Sequence, residues 1–418
     1  MRTFQKSSKL FNVAYDVRGP ALDEAMRMEN EGIKILKLNI GNPGPFGFHA
    51  PQEVLSGVTD GLKNAQGYSD SKGLYESREA IANYHLKMGI EGVTPDDIYT
   101  GNGVSELIQI CMQGLLDDGD EILIPAPDYP LWTAMATLAG GTVRHYICDE
   151  KSNWQPDIAD MRAQVNDKTK AIVVINPNNP TGVVYSEEIL LEIVELAREH
   201  ELIIFSDEIY DRLVMDGIKF TSVAALAPDL FCITLNGLSK SHLIAGFRIG
   251  WMCLSGPQIA VRSYIEGLNM LSSMRLCSNT PAQLAVPTAL SSLEETKAMI
   301  SPGGRVYQQR EAVCNALDRV EGLSYVRPQA AFYVFPKLEI ERFGITSDER
   351  FVFDFLREQH VLLVRGGGFH WPEPDHFRIV FLPETEILTE AVGRLAKFLK
   401  NYRQDHTDQH LILKHKQW

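Results

Sequence analysis

The sequence predicts an α/β fold: a large domain on a mostly parallel seven-stranded sheet flanked by helices, plus a smaller α/β domain. Three observations predict it. Seven apolar runs of strand length recur through the first 254 residues, with helical patterns between them. The runs are nearly continuous rather than alternating, which suits strands buried on both faces of a parallel sheet. Beyond about residue 300 the strands shorten and their spacing becomes hairpin-like, as expected of a second unit.

The runs are ILKLNIG (35–41), DIYTGNG (97–103), EILIPAP (121–127), AIVVINP (171–177), LIIFSDEIY (202–210), FCITLNG (231–237) and IGWMCL (249–254). Between the fourth and fifth, SEEILLEIVELAREH (186–200) puts Ile189, Leu190, Ile193, Leu196 and Ala197 on one helical stripe. Ser186 stands at the N-cap, with Glu187 and Glu188 in the first turn. Residues 171–210 therefore read as a βαβ unit whose parallel strands end on the same rim. In the second unit, 305–321, 348–359 and 384–402 read as helices, and 330–338, 361–368 and 377–382 as strands. The expected divisions are 1–48 (N-terminal arm and part of the small domain), 49–298 (large domain), 299–405 (small domain) and 406–418 (polar tail).

Composition excludes several function classes. The 418 residues carry 40 Lys+Arg against 54 Asp+Glu, a net charge of −14, so the mean field repels nucleic acid and anionic membranes alike. Six cysteines are spread singly, without a C-x-x-C pair, which fits reduced thiols in a cytoplasm. The N-terminus lacks the apolar stretch of a signal peptide, and no window is long and apolar enough for a membrane span.

The chemistry concentrates at strand ends. In NGLSKSHLIAGFRIGW (236–251), Lys240 closely follows a buried strand and Arg248 lies eight residues on. Desolvation of a lysine prepares its amine to attack a carbonyl and form a Schiff base. NPNNPTG (176–182) and DEIY (207–210) end neighbouring strands, so Asn179, Asp207, Tyr210 and Lys240 share the rim where open α/β sheets bind ligands. Taken singly, Asn179 reads as a turn residue and Asp207 as a helix N-cap. Arg378, inside the apolar strand FRIVFL, is costly unless paired. GNGVSE (101–106) leads a glycine turn into a helix, where Gly103, Val104 and Ser105 can cradle an anion. A dinucleotide fingerprint there is opposed by Glu106, and no G-x-x-x-x-G-K-[ST] loop exists.

No metal is predicted. DDGDE (117–121) lacks the distal glutamate of a calcium loop, and Pro372 and Pro374 break any regular ligand spacing among His370, Glu373, Asp375 and His376. The three histidines of the tail have no fixed geometry. GGG (366–368) reads as a mobile loop near the cleft.

The stretches LNIGNPG, GNGVSE, PDYPLW, NPNNPTG, SDEIYDRL and NGLSKSHLIAGFRIGWM together resemble the class I/II, fold-type I, pyridoxal-phosphate (PLP) aminotransferases, over roughly residues 5 to 400. Within that superfamily they are most similar to the bacterial alanine (glutamate–pyruvate) aminotransferases. The resemblance implies that Lys240 joins the cofactor aldehyde and shuttles the proton, while Asp207 keeps the pyridine nitrogen protonated. It implies that Asn179 and Tyr210 bond the phenolic oxygen, that Tyr129 lies against the ring, and that Ser105, Ser239 and Arg248 bind the phosphate. Gly237 stands where many members carry a further phosphate-binding hydroxyl. Arg378, with Gly41 and Asn179, would hold the substrate α-carboxylate. Tyr15 and Arg18 would fold over the substrate, with Arg18 (or more weakly Arg275) taking the second carboxylate of glutamate. Tyr68 would reach the phosphate of a neighbouring subunit, making the active site a property of a homodimer. The activity implied is exchange between L-alanine plus 2-oxoglutarate and pyruvate plus L-glutamate. The alternatives are a branched-chain or aromatic aminotransferase or a C–S lyase on the same scaffold. A PLP-binding regulator is disfavoured, because only about 34 residues precede the first strand and the charge is unsuited to DNA.

Overall fold

A computed structural model describes residues 2–13 and 19–404. Its centre is an eight-stranded sheet in the spatial order Ile98–Gly101, Gly250–Ser255, Cys232–Gly237, Ile203–Asp207, Thr169–Ile175, Glu121–Ala126, Thr142–Asp149 and Gln155–Pro156. Five neighbours, from Cys232–Gly237 to Thr142–Asp149, run parallel. Gly250–Ser255 is antiparallel to both its neighbours. Most of these strands are buried along their whole length, as continuous apolar runs require.

Two assignments change. Of 35–41 only Leu36–Lys37 forms a strand, and it pairs in parallel with Val361–Leu362 outside the large sheet. Its place in the sheet is taken by Thr142–Asp149, whose first half alternates between exposed and part-buried residues and so lacks a continuous run. The helix Glu187–Glu199 forms as its pattern demands: the Ser186 hydroxyl accepts from the Ile189 amide, and Leu190, Ile193, Val194, Leu196 and Ala197 are buried.

Helices cover both faces of the sheet, forming two apolar layers around it. A further core gathers Leu36, Leu38 and Phe48 with Val306, Phe351, Phe355, Ile379 and Leu395. Its small antiparallel sheet places Phe377–Val380 between Tyr333–Val334 and Val364–Arg365. The triple glycine is not a mobile loop: Gly366–Phe369 is a packed 3-10 turn, where a Cβ at Gly366 would come within 2.8 Å of His376 O. Among the described residues no helix is long and apolar enough to cross a membrane, and all six cysteines are free thiols.

Candidate active site

The parallel strands Thr169–Ile175, Ile203–Asp207 and Cys232–Gly237 end on one rim. Beyond it lies a cavity of about 680 Å³. Gly41, Val104, Ser105, Tyr129, Asn179, Asp207, Tyr210, Ser239, Lys240, Arg248 and Arg378 all line it. Residues up to 337 positions apart in sequence thus meet at the end of one sheet. Gly103 is not among the lining residues but adjoins Val104, which is. Tyr68 is 81% exposed and does not line the cavity. Arg275 is half-buried elsewhere, donating to Ser71 O and Thr100 O and pairing with Glu106 at 3.2 Å. Tyr15 and Arg18 lie outside the described residues.

Lys240 follows the end of its strand by three residues and is half-buried, with Nζ donating to Gly41 O at 2.6 Å. Asp207 is the last residue of its strand and fully enclosed. Its Oδ2 accepts from Trp132 Nε1 at 3.0 Å and its Oδ1 from the Ile209 amide. Burial pushes its carboxyl up, and the Trp132 N–H, the Ile209 amide and the Lys240 charge oppose that. The Tyr210 hydroxyl meets that of Tyr333 at 2.6 Å, and burial raises the Tyr210 phenol well above its ordinary range. Arg378 donates to Asn179 Oδ1 at 2.8 Å and Asn39 O at 2.5 Å, its guanidinium stacked over the rings of Tyr333 and Phe369. A cation inside an apolar strand is thereby satisfied.

At the other end of the cavity the helix Val104–Leu115 presents its N-terminus. Gly103, at φ +77°, makes the turn into it, and a Cβ there would come within 2.5 Å of an Arg248 guanidinium nitrogen. Arg248 is itself left-handed, bonding Ala245 O and Asn102 O, which aims its charge along the helix end. The charge of Glu106 does not oppose an anion there, because its carboxylate accepts from Asn102 and pairs with Arg275. At Gly237 a Cβ would approach Ile249 O to 2.9 Å, so the close backbone contact favours glycine over a hydroxyl residue.

These features fit pyridoxal phosphate. Helix-terminal amides, Ser105, Ser239 and Arg248 suit a phosphate, and a buried carboxylate raised by desolvation suits a cationic ring nitrogen. The Lys240 amine opens onto the same cavity.

Two residues were not anticipated. Trp132, buried on the helix Leu131–Ala139, fixes Asp207, and Tyr333 couples Tyr210 to Arg378. A Cβ at Gly41 would come within 2.2 Å of the Tyr333 hydroxyl, so that glycine makes room for the ring. Trp132 belongs to PDYPLW and Tyr333 to an apolar strand, where an aromatic reads as core. The cluster 370–376 divides: His376 bonds Asp375 at 2.6 Å and faces Glu150, whereas His370 turns to Asp128.

The model of the family Aminotransferase class I and II matches residues 33–395. Glutamate-pyruvate aminotransferase of Haemophilus influenzae is 57% identical over 97% of this chain and 100% of its own length. Alanine aminotransferase of Mycobacterium tuberculosis is 50% identical, over 96% and 94% respectively. The crystal structure of an aminotransferase from Escherichia coli matches with a TM-score of 0.95 at 55% identity, covering 97% of this chain and 100% of that one.

Proposed function

The chain belongs to the class I and II aminotransferases, and from that premise we propose that it moves the amino group of L-alanine to 2-oxoglutarate, giving pyruvate and L-glutamate. The carrying observation is that Lys240, Asp207 and Arg378 open onto one cavity. Pyridoxal 5′-phosphate is the cofactor, and when bound it supplies a ring that stores the electron pair left at the substrate Cα.

The chain's own residues do the rest. Lys240 would hold the cofactor and, with its amine free, would take the substrate Cα proton and return it. Asp207, held by Trp132, keeps a proton on the ring nitrogen by its charge. Tyr210 and Asn179 would bind the ring oxygen, and Tyr129 would lie against the ring. Gly103, Val104, Ser105, Ser239 and Arg248 would hold the phosphate. Arg378 presents a planar fork to the substrate α-carboxylate, with Gly41 and Asn179 beside it.

The site must accept both a methyl and a carboxyethyl side chain, which calls for a cation that arrives with the larger substrate. Arg18, with Tyr15 beside it in the N-terminal segment, fills that role. An Arg18→Ala enzyme is expected to raise the KM for 2-oxoglutarate and spare that for L-alanine; unchanged values for both rule the role out. The enzyme works as a homodimer, Tyr68 reaching the phosphate of the second copy, and its free cysteines fit a cytoplasmic setting.

Purified holoenzyme mixed with L-alanine and no oxo acid is expected to lose its visible cofactor band while releasing one pyruvate per site. An unchanged spectrum defeats the alanine assignment. Borohydride reduction of the holoenzyme, followed by peptide mapping, is expected to label Lys240; a label on another lysine defeats the site.

A further inference from the structure

A second constellation lies outside the cavity. Asp128 follows the strand Glu121–Ala126, His145 stands on Thr142–Asp149, and His370 follows the turn Gly366–Phe369. One ligand atom from each of the three lies within 4.8 Å of the others. Asp128 is fully buried, and its Oδ1 shares a hydrogen with His370 Nδ1 at 2.7 Å. Its Oδ2 accepts from the Thr133 hydroxyl at 2.6 Å. The two imidazoles stack with centroids 4.7 Å apart. His145 Nδ1 lies 3.3 Å from Pro125 O, an atom that can only accept, so that nitrogen carries the proton and Nε2 keeps a lone pair.

We propose that Asp128, His145 and His370 bind one borderline divalent cation of the zinc–cobalt class. Two imidazoles and one carboxylate are the donor set such ions take, with water in the fourth position. The outer partners are already in place: a histidine ligand donating its other N–H to a backbone carbonyl, and a carboxylate held by a hydroxyl. Zinc–ligand bonds of about 2.0–2.2 Å bring ligand atoms to roughly 3.3 Å from one another, so small side-chain rotations close the site. The ion takes the place of the hydrogen between His370 and Asp128, and that hydrogen passes to the other ring nitrogen of the neutral imidazole. No redox step is involved. The Asp128 amide already donates to Phe369 O, so the ion staples the edge of the large sheet to the turn that packs on Arg378, one residue from cavity-lining Tyr129.

The test is titration of holoenzyme, dialysed against a chelator, with Co²⁺ and Zn²⁺. Expected are one ion per chain, visible Co²⁺ bands, and a thermal midpoint that rises with the ion. His145→Gln and His370→Gln are each expected to weaken binding by more than about 100-fold, and Thr133→Val by about 10-fold. A variant with His406, His410 and His415 all changed to Gln separates the site from the tail and is expected to bind like the parent. Unaltered binding in His145→Gln and His370→Gln, loss in the tail variant, or no binding by the parent overturns the proposal. Circular dichroism of each variant confirms that a loss is not unfolding.

Discussion

Asp207 and Glu208 are adjacent acids, the first ending its strand and the second just beyond it, and their side chains part to different partners. Asp207 meets the cavity, where a tryptophan N–H, a backbone amide and a lysine offset its burial. Glu208 turns inward, where the Ser206 and Ser222 hydroxyls and the Val223 amide reach it, and burial pushes its carboxyl up from 4.5 to about 8. The motif SDEIY singled out the first acid by its place at a strand end. Nothing in the letters separates the second. A raised carboxyl binds a proton in the folded chain that the unfolded chain has lost, so its contribution to stability is complete below about pH 4.5 and falls as pH rises through about 8. Glu208→Gln keeps both hydroxyl contacts and removes that dependence. Its stability is expected to exceed the parent's by a margin that widens from about pH 5 to pH 8, reaching on the order of a few kcal/mol and read as a rising difference in thermal midpoint. Parallel stability curves across that window count against a buried neutral Glu208.

At the scale of elements, legibility followed the origin of each element's stability. Strands buried on both faces, such as Ile203–Asp207, announce themselves by unbroken apolar runs. The strand Thr142–Asp149 sits beside the two-residue edge, and its first four residues alternate between exposed (Thr142, Arg144) and part-buried (Val143, His145), so TVRHYICD shows no run. The run at 35–41 is apolar because Leu36 and Leu38 pack into the smaller core, a use that periodicity cannot distinguish from the larger one. Local capping was readable because it involves neighbours alone: Ser186 takes the Ile189 amide at 3.3 Å. Ser186→Ala leaves that amide without its cap and is expected to cost about 1 kcal/mol. Chemical denaturation of the holoenzyme should show the loss, while Ser186→Gly costs only a few tenths. Equal losses for the two variants, or none, would mean that the helix Glu187–Glu199 draws its stability from packing alone.

At the scale of the whole molecule, what the sequence hides is contact between distant segments. Lys240 meets Gly41 across 199 positions, and Arg378 meets Asn179 across 199 as well. The family's motifs mark these residues singly, but no local pattern marks Tyr333 or the meeting of Asp128 with His145 and His370. The same scale governs assembly. On the helix Arg262–Met274, Met270 is 64% exposed and Met274, one turn on, 73%. Leu276 follows at 52%, and Arg275 ties this segment to Ser71 O, which brings the 81% exposed Tyr68 into the same region. Apolar side chains gathered on one face favour a partner surface over water, and a second copy of the chain would also bring Tyr68 toward a neighbouring phosphate end. Met270→Glu combined with Met274→Glu puts charge into that face without touching the cavity. Sedimentation of this variant is expected to show monomers where the parent sediments as a dimer, with transaminase activity down at least about tenfold because each site loses its neighbour's contribution. If the double variant remains dimeric, the interface lies elsewhere. If it becomes monomeric with full activity, each site is complete within one chain.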